Sequence, residues 1–536
     1  MYKNGFLSEY IVHGWRKYPK YAWMACFFGY IVHGWRKYPK CARMACFFGY
    51  IVHGWRRYPK CAWMACFFGY ILSFWAKIRN CFIGNIGFIL VLASLSTTWF
   101  CFCSYVTFLR WENWDIGIDT AVYAQTLHAA AQGKEWLFTC FGEKQVHLFS
   151  IHLHLLFLPL SWIYRFISNP VMLYILQHAA HALGGLIIGF IAYKTGENDP
   201  ILGLFAALAF FILPSHARAQ VAFDFSFRHL GLFLIPLAAL FFQLNICCPA
   251  IISLAILTAG SEDLGLTAAF LCFSTAFIKG CSRKLLVLGG VLFILYTLLA
   301  IGIIIPHYGG GALLGSHFGY LGEGVLQCSE IILSRSSIEY FFNIFFPLFF
   351  IPIIMPNRWF AASIPMLLQN LLSKVDGTRF IGHHYTSCLT ALLFLATLEG
   401  ITRLSRWNKR LVMVLITLLS MVLSIYYFPS LSFLWEGCDK RVEELGANLK
   451  ILDELIPPAG SLSAPPAVCS HLYKRTGLYF FPHGIDLADW VVVPKYLQGY
   501  PDVSQKKLIE IISDMKRNSK MKMVTENPDV FVFSRL

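Results

Sequence analysis

The chain has 536 residues, 57% of them hydrophobic and only 14% charged, with a mean hydropathy of +0.59. A soluble domain carries about a quarter charged residues, so this composition excludes an ordinary soluble protein and implies a polytopic membrane protein. The net charge of +15 sits in short connections, N-terminal repeats and the C-terminal tail. That suits topology signals and lipid headgroups and not nucleic acid, since no basic face with interleaved aromatics accompanies it.

Residues 1–79 hold three near-identical copies of one unit, at 10–29, 30–49 and 50–69. Each apolar run, such as Tyr21–Trp35, is short for a span, and HGWRKYP has no helical pattern. The expected origin is tandem duplication or a start site placed too far upstream; a basic-aromatic interfacial arm is the alternative. Lys77 and Arg79 then flank the first clear span, Cys81–Leu109, and by the positive-inside rule its start is cytoplasmic.

The polar stretch Trp111–Pro159 follows, on the outer side by this count. It carries Glu112, Asp115, Asp119, Glu135 and Glu143 with His128, His147, His152 and His154. A helix over Ile116–Ala131 sets Asp115 and Asp119 four apart on one face; Asp115 also fits the N-cap of that helix. Leu148–Phe166 reads as an interfacial or re-entrant helix, with His152 and His154 as its polar tips rather than metal ligands. His178 and His181 form a further pair at helical spacing, but no HExxH pattern is present.

Later spans are expected at Val171–Tyr193, Ile201–Leu213, His229–Leu244, Ile251–Gly260, Leu264–Ile278, Leu285–Ile305, Ile338–Met355, Trp359–Leu372, Thr386–Ile401 and Leu411–Phe428. The total is about eleven crossings, with Arg403, Arg406, Lys409 and Arg410 the strongest inside signal. Asp115, Asp119, His147, Asp224, His229, Glu262, Asp263, His307, His383 and His384 then share the outer face. Ionisable groups at span ends are costly unless they serve a cavity or partner, so an active-site cleft is the reading. Pro306–Gly324 is glycine-rich without a P-loop ending and reads as an external lid or a flexible linker.

From Trp435 the composition becomes that of a soluble domain. Arg441–Leu455 has helical periodicity, Ser461–Ala464, Gly477–Phe481 and Trp490–Val493 read as strands, and Ser504–Asn518 as an amphipathic helix. Met521–Ser534 reads as a closing hairpin turning near Asn527-Pro528-Asp529. The 17 cysteines include no CxxC pair, which argues against a zinc ribbon or thioredoxin-like site; pairing of Cys438 with Cys469 stays open. The fold class is mainly α: a transmembrane helical bundle over 80–434 with external interfacial helices, and a small extracytoplasmic α/β domain over 435–536.

WDIGIDTAVYAQTLHAAAQGK resembles the first-loop signature of the predicted membrane proteins called domain of unknown function 2079. The resemblance continues through His147-Leu-Phe-Ser150 to Pro159, Tyr174 to Gln177, Phe223-Asp-Phe225 with His229, Glu262-Asp263, His384-Tyr385, LIPPAGSLSAPPAVCSHLYKRTGLYFFP and ADWVVV. It covers about residues 80–536. Ser261 stands where a Lys is expected before Glu262, and FDFSFRH spaces His229 further from Asp224 than expected. The layout is similar to that of the C-fold membrane glycosyltransferases, which implies transfer of a sugar from a polyprenyl-phosphate donor at the outer face of the cytoplasmic membrane.

Such chemistry needs a base for the acceptor, cations or a metal for the phosphate and an apolar groove for the tail. Asp115 is the first choice as catalytic base or metal ligand, and Asp119 the second. His147, Asp224, Arg228, His229, Glu262, Asp263, Arg379 and His384 are the expected substrate-binding residues, Arg228, His229 and Arg379 toward the phosphate. The cofactor is unknown, with a divalent metal open. The partners implied are membrane lipids, the lipid donor and an unidentified acceptor, without nucleic acid. A transporter or flippase predicts polar residues within spans and a two-fold span repeat; a non-catalytic envelope assembly protein is the third reading.

Overall fold

The computed structural model describes residues 86–142, 144–278, 280–323, 325–427, 440–495 and 504–536. The 1–79 repeats, Glu143, Gly324 and Cys438 lie outside the described residues. Asn85–Leu536 forms one compact unit.

Four helices have the length and composition to cross a membrane: Ile86–Glu112, Val171–Thr195, Arg283–His307 and Arg406–Tyr427. Pro200–Ile212 and Pro214–Val221 make a fifth span if taken together, bent by 53° where Pro214 cannot continue the hydrogen-bond ladder. Phe227–Gln243, Cys247–Gly260 and Leu264–Thr275 are apolar but shorter. This is what the described residues hold against the about eleven crossings expected from apolar runs. Ser387–Ile401 has nearly every side chain buried, as an all-round apolar helix inside a bundle must.

Three expected helices are built differently. Leu148–Phe166 is a 3-10 turn at Leu148–Ser150, an irregular, turn-containing link and a short helix at Phe157–Tyr164. The link is non-helical because its polar groups are satisfied by other parts of the chain: Leu153 N donates to Glu262 and Leu156 N to Ala259 O. The run Ile338–Met355 ends its helix at Phe345, then passes through a 3-10 turn and two left-handed residues, Phe349 and Phe350. Pro347 and Pro352 flank that break. The helix expected from Ile116 begins at Ile118, with Gly117 as its N-cap; Asp115 therefore lies before the helix and is not its cap.

The C-terminal elements follow the expected pattern closely. A helix at Lys440–Leu455 precedes β3 (Leu462–Ala464), β4 (Leu478–Phe480) and β5 (Trp490–Pro494), then a helix at Gln505–Arg517 and the hairpin β6 (Met521–Glu526)–β7 (Val530–Arg535). The sheet order is β4-β3-β5-β7-β6, parallel from β4 to β5 and antiparallel from β5 to β6. A small hairpin, β1 (Leu137–Phe138) and β2 (Val146–His147), lies in the polar stretch. The chain just after β1 joins the outer edge of β4: Phe480 N donates to Cys140 O at 2.9 Å, and Leu478 N to Thr139 Oγ1 at 2.8 Å. Tyr164 donates to Tyr473 at 2.6 Å, and His471 stacks on Trp114. The α/β part is thus fastened directly to the polar stretch.

Candidate functional site

The N-terminus of the Ile118–Ala131 helix organises the site. Gly117 has no side chain to cap the helix, so Asp224 does it from a distant loop. Its carboxylate accepts from Gly117 N at 2.9 Å, Asp119 N at 3.0 Å and the Tyr174 hydroxyl at 3.2 Å. A Cβ at position 117 would stand 2.6 Å from Asp224 Oδ2, which is why glycine fits there. Asp224 is therefore engaged with the backbone.

The two acidic residues of the first loop have different surroundings. Asp115 pairs with Arg110 Nε at 2.9 Å, and its side chain is 63% exposed. Asp119 is half-buried in the first turn, and its carboxylate accepts no hydrogen bond among the described residues. Burial and the neighbouring Asp224 charge push its pKa up to about 7, against the opposing pull of His152 and Arg228. A carboxylate with that ionisation is suited to taking and giving a proton near neutrality.

Close by, a cavity of about 510 Å³ opens between the Ser261–Asp263 turn, the irregular His152 link and the glycine-rich Gly309–Glu323 segment. The volume lies within the range of small-molecule sites, roughly 300–1,000 Å³. Its lining is partly polar, with His152, Arg228, Glu262 and Asp263, and partly apolar, with Ile301 and Ile305. Arg228 donates to Asp263 Oδ2 at 2.8 Å and lies 4.7 Å over the Tyr385 ring. Glu262 accepts from His152 Nδ1 at 2.7 Å and from Leu153 N at 2.9 Å. Burial raises the Glu262 pKa, but the facing His152 outweighs it and holds the carboxyl below its usual range. Ser261, where a Lys was expected, donates to Asp263 at 2.5 Å. His154 Nδ1 bonds Gly260 O, and burial pushes its pKa down to about 3, so it stays neutral.

The glycine-rich segment covers this cavity. It contributes Gly311, Gly315, His317 and Phe318 to the lining, and Gly311 has φ +121°, a conformation open to glycine. Lys374 N donates to His317 O at 3.0 Å, and Tyr320 to Leu372 O at 2.5 Å.

Other expected residues lie elsewhere. His147 accepts from Phe149 N and stacks on Tyr308 at 4.2 Å, outside the cavity lining. Arg379 is tied to Asp376, Ser337 and Ser373 O. His229 and His384 are buried with ring centroids 6.4 Å apart, and neither nitrogen of His229 has a hydrogen-bond partner among the described residues. Among the described residues no group of three or more His, Cys, Asp or Glu is arranged to hold a metal ion. The sequence reading missed His152 as a wall of the cavity, together with Gln369 and His317. Its nearest signal was the pair of histidines at 152 and 154, which no local spacing links to Glu262.

Apolar helices of spanning length around a buried polar site define a multi-pass helical membrane protein. A family model described as predicted membrane protein (DUF2079) matches residues 115–532, and the chain belongs to that family. Among solved structures, the chain is similar to ArnT from Cupriavidus metallidurans, whose crystal structure is bound to undecaprenyl phosphate. The identity is 10% and the TM-score 0.47, covering 82% of this chain and 98% of ArnT. No curated protein matches the chain by sequence.

Proposed function

We propose that this protein is a membrane glycosyltransferase that moves a sugar from a polyprenyl-phosphate donor to an acceptor at the outer face of the cytoplasmic membrane. In this reading the α/β part is extracytoplasmic. The observation that carries it is the mixed lining of the cavity, which combines the Arg228 cation with apolar side chains, and the Asp119 carboxylate close to Arg228 and His152. A phosphate headgroup with a hydrocarbon tail needs both kinds of lining.

The chemistry follows from those groups. An acceptor hydroxyl attacks the anomeric carbon while Asp119 takes its proton. The bond from that carbon to the phosphate oxygen breaks, and polyprenyl phosphate leaves with its charge stabilised by Arg228. Asp119 is preferred over Asp115 as the base because Asp115 is held by Arg110 and mostly exposed. No metal enters these steps.

The test uses purified protein in detergent, polyprenyl phosphate and a panel of lipid-linked sugars. Asp119→Asn should keep lipid binding and lose transfer by about a hundredfold or more, with Asp115→Asn less affected. A well-folded parent that binds no lipid phosphate would remove the donor and leave the transporter and assembly readings.

A further inference from the structure

The Ser261–Asp263 turn, between the Cys247–Gly260 and Leu264–Thr275 helices, sets two consecutive carboxylates in the cavity wall. Each holds a different nitrogen donor, on His152 or on Arg228. Glu262 takes His152 Nδ1 at 2.7 Å; Asp263 takes Arg228 Nη2 at 2.8 Å and Nε at 3.3 Å, with Gln369 on the same oxygen at 2.9 Å. That leaves His152 Nε2 and Arg228 Nη1, neither with a hydrogen-bond partner among the described residues, on two side chains that both line the cavity. The carboxylate side chains are only 6% and 13% exposed. Buried charges held this way fix the geometry of their partners, and charge-assisted donors in fixed orientation suit an oxyanion.

We propose that His152 and Arg228 form a two-point clamp for a phosphoryl oxyanion, with Glu262 and Asp263 as positioning residues behind them. The clamp rests on the glycosyl-transfer reading only in taking the phosphate to be that of the lipid donor. It gives His152 a phosphate-binding role and makes Glu262 and Asp263 anchors rather than substrate contacts. Since His152 Nδ1 is spent on Glu262, Nε2 donates only when the imidazole carries both protons. The ionisable groups facing His152 are Glu262, Asp263, Arg228, His154, His317, His384 and Asp119. Of these Asp119 has its carboxyl raised to about 7 by burial and the Asp224 charge, so the test is made at one fixed pH in an Asp119→Asn background.

Polyprenyl phosphate and inorganic phosphate are titrated separately into the full chain in detergent at that pH. The variants are Asp119→Asn alone and with His152→Gln or Glu262→Gln, each checked by its melting profile. Loss of one charge-assisted bond should weaken binding of the lipid phosphate about tenfold or more. Glu262→Gln, which keeps the shape of the anchor, should weaken it less than His152→Gln, with the melting profile unchanged in both. Unchanged affinity in both variants would overturn the clamp and leave the lipid-donor reading standing. Inorganic phosphate bound as tightly as the lipid, with the same response to His152→Gln, would support the clamp and overturn the lipid donor. Failure of the folded Asp119→Asn protein to bind either phosphate would overturn both.

Discussion

Replacing Asp224 with alanine tests whether this residue holds the Ile118–Ala131 helix, and with it Asp119. The Asp224 side chain accepts two backbone N–H groups at 2.9 and 3.0 Å and is 6% exposed. Tyr174 keeps a partner in Thr120 at 2.5 Å, so the loss falls on the two amides. Hydrogen bonds to a charged acceptor contribute about 1.5 kcal/mol each at the low end, and the first-turn position adds the favourable end of the helix dipole. Asp224→Ala should therefore destabilise the protein by about 3 kcal/mol, roughly a hundredfold in the unfolding equilibrium. Asp224→Asn retains one acceptor and should lose about half as much. The assay is reversible unfolding in mixed micelles, with amide exchange at Gly117 and Asp119 followed alongside. A loss under about 1 kcal/mol for the alanine variant, with both amides still protected, would refute the capping argument.

Gly117→Ala forces a Cβ to within 2.6 Å of the same carboxylate; its cost should be about 1–2 kcal/mol and largely absent in an Asp224→Ala background, as a double-mutant cycle would read. The Asp119 carboxyl, raised to about 7 in the folded protein from 3.8, binds its proton more tightly folded than unfolded. Its contribution to stability therefore declines as pH rises from 3.8 to about 7, and remains a constant cost above that. Asp119→Asn should remove this decline, gaining relative to the parent at alkaline pH, and should abolish the matching rise in transfer rate between about pH 6 and 8. Asp199, 1% exposed, accepts from Arg410 at 2.5 and 3.0 Å; Asp199→Ala should lower the melting temperature, and an unchanged melting temperature would contradict that. Thr139→Val removes the hydroxyl that both donates to and accepts from Leu478 at 2.8 Å, and should expose the Leu478–Phe480 strand to proteolysis without altering the helical signal.

Much of the C-terminal part could be read directly from the chain, because alternation in Trp490–Val493 and turn residues at Asn527-Pro528-Asp529 are local signals. The membrane part was legible only as apolarity. A run such as Ile338–Met355 passes any hydropathy threshold, yet Pro347 and Pro352 interrupt it, and the chain there turns through left-handed residues. The site was legible as a set of residue types on one expected face, without the pairings inside it.

The sequence by itself determined that the chain is a helical membrane protein with an α/β end, and that acidic and imidazole groups concentrate after the first span. Those properties follow from composition and from periodicities a few residues long. Only the tertiary structure decided which of them face one another. Asp224 caps a helix about a hundred residues away, His152 is anchored by Glu262 across 110 residues, and the Asp119 carboxylate is left without a hydrogen bond among the described residues because Asp224 takes the capping of Gly117 and Asp119 N–H. Ionisation and free donors depend on burial and on the nearest opposite charge, and neither is set until the chain has folded back on itself.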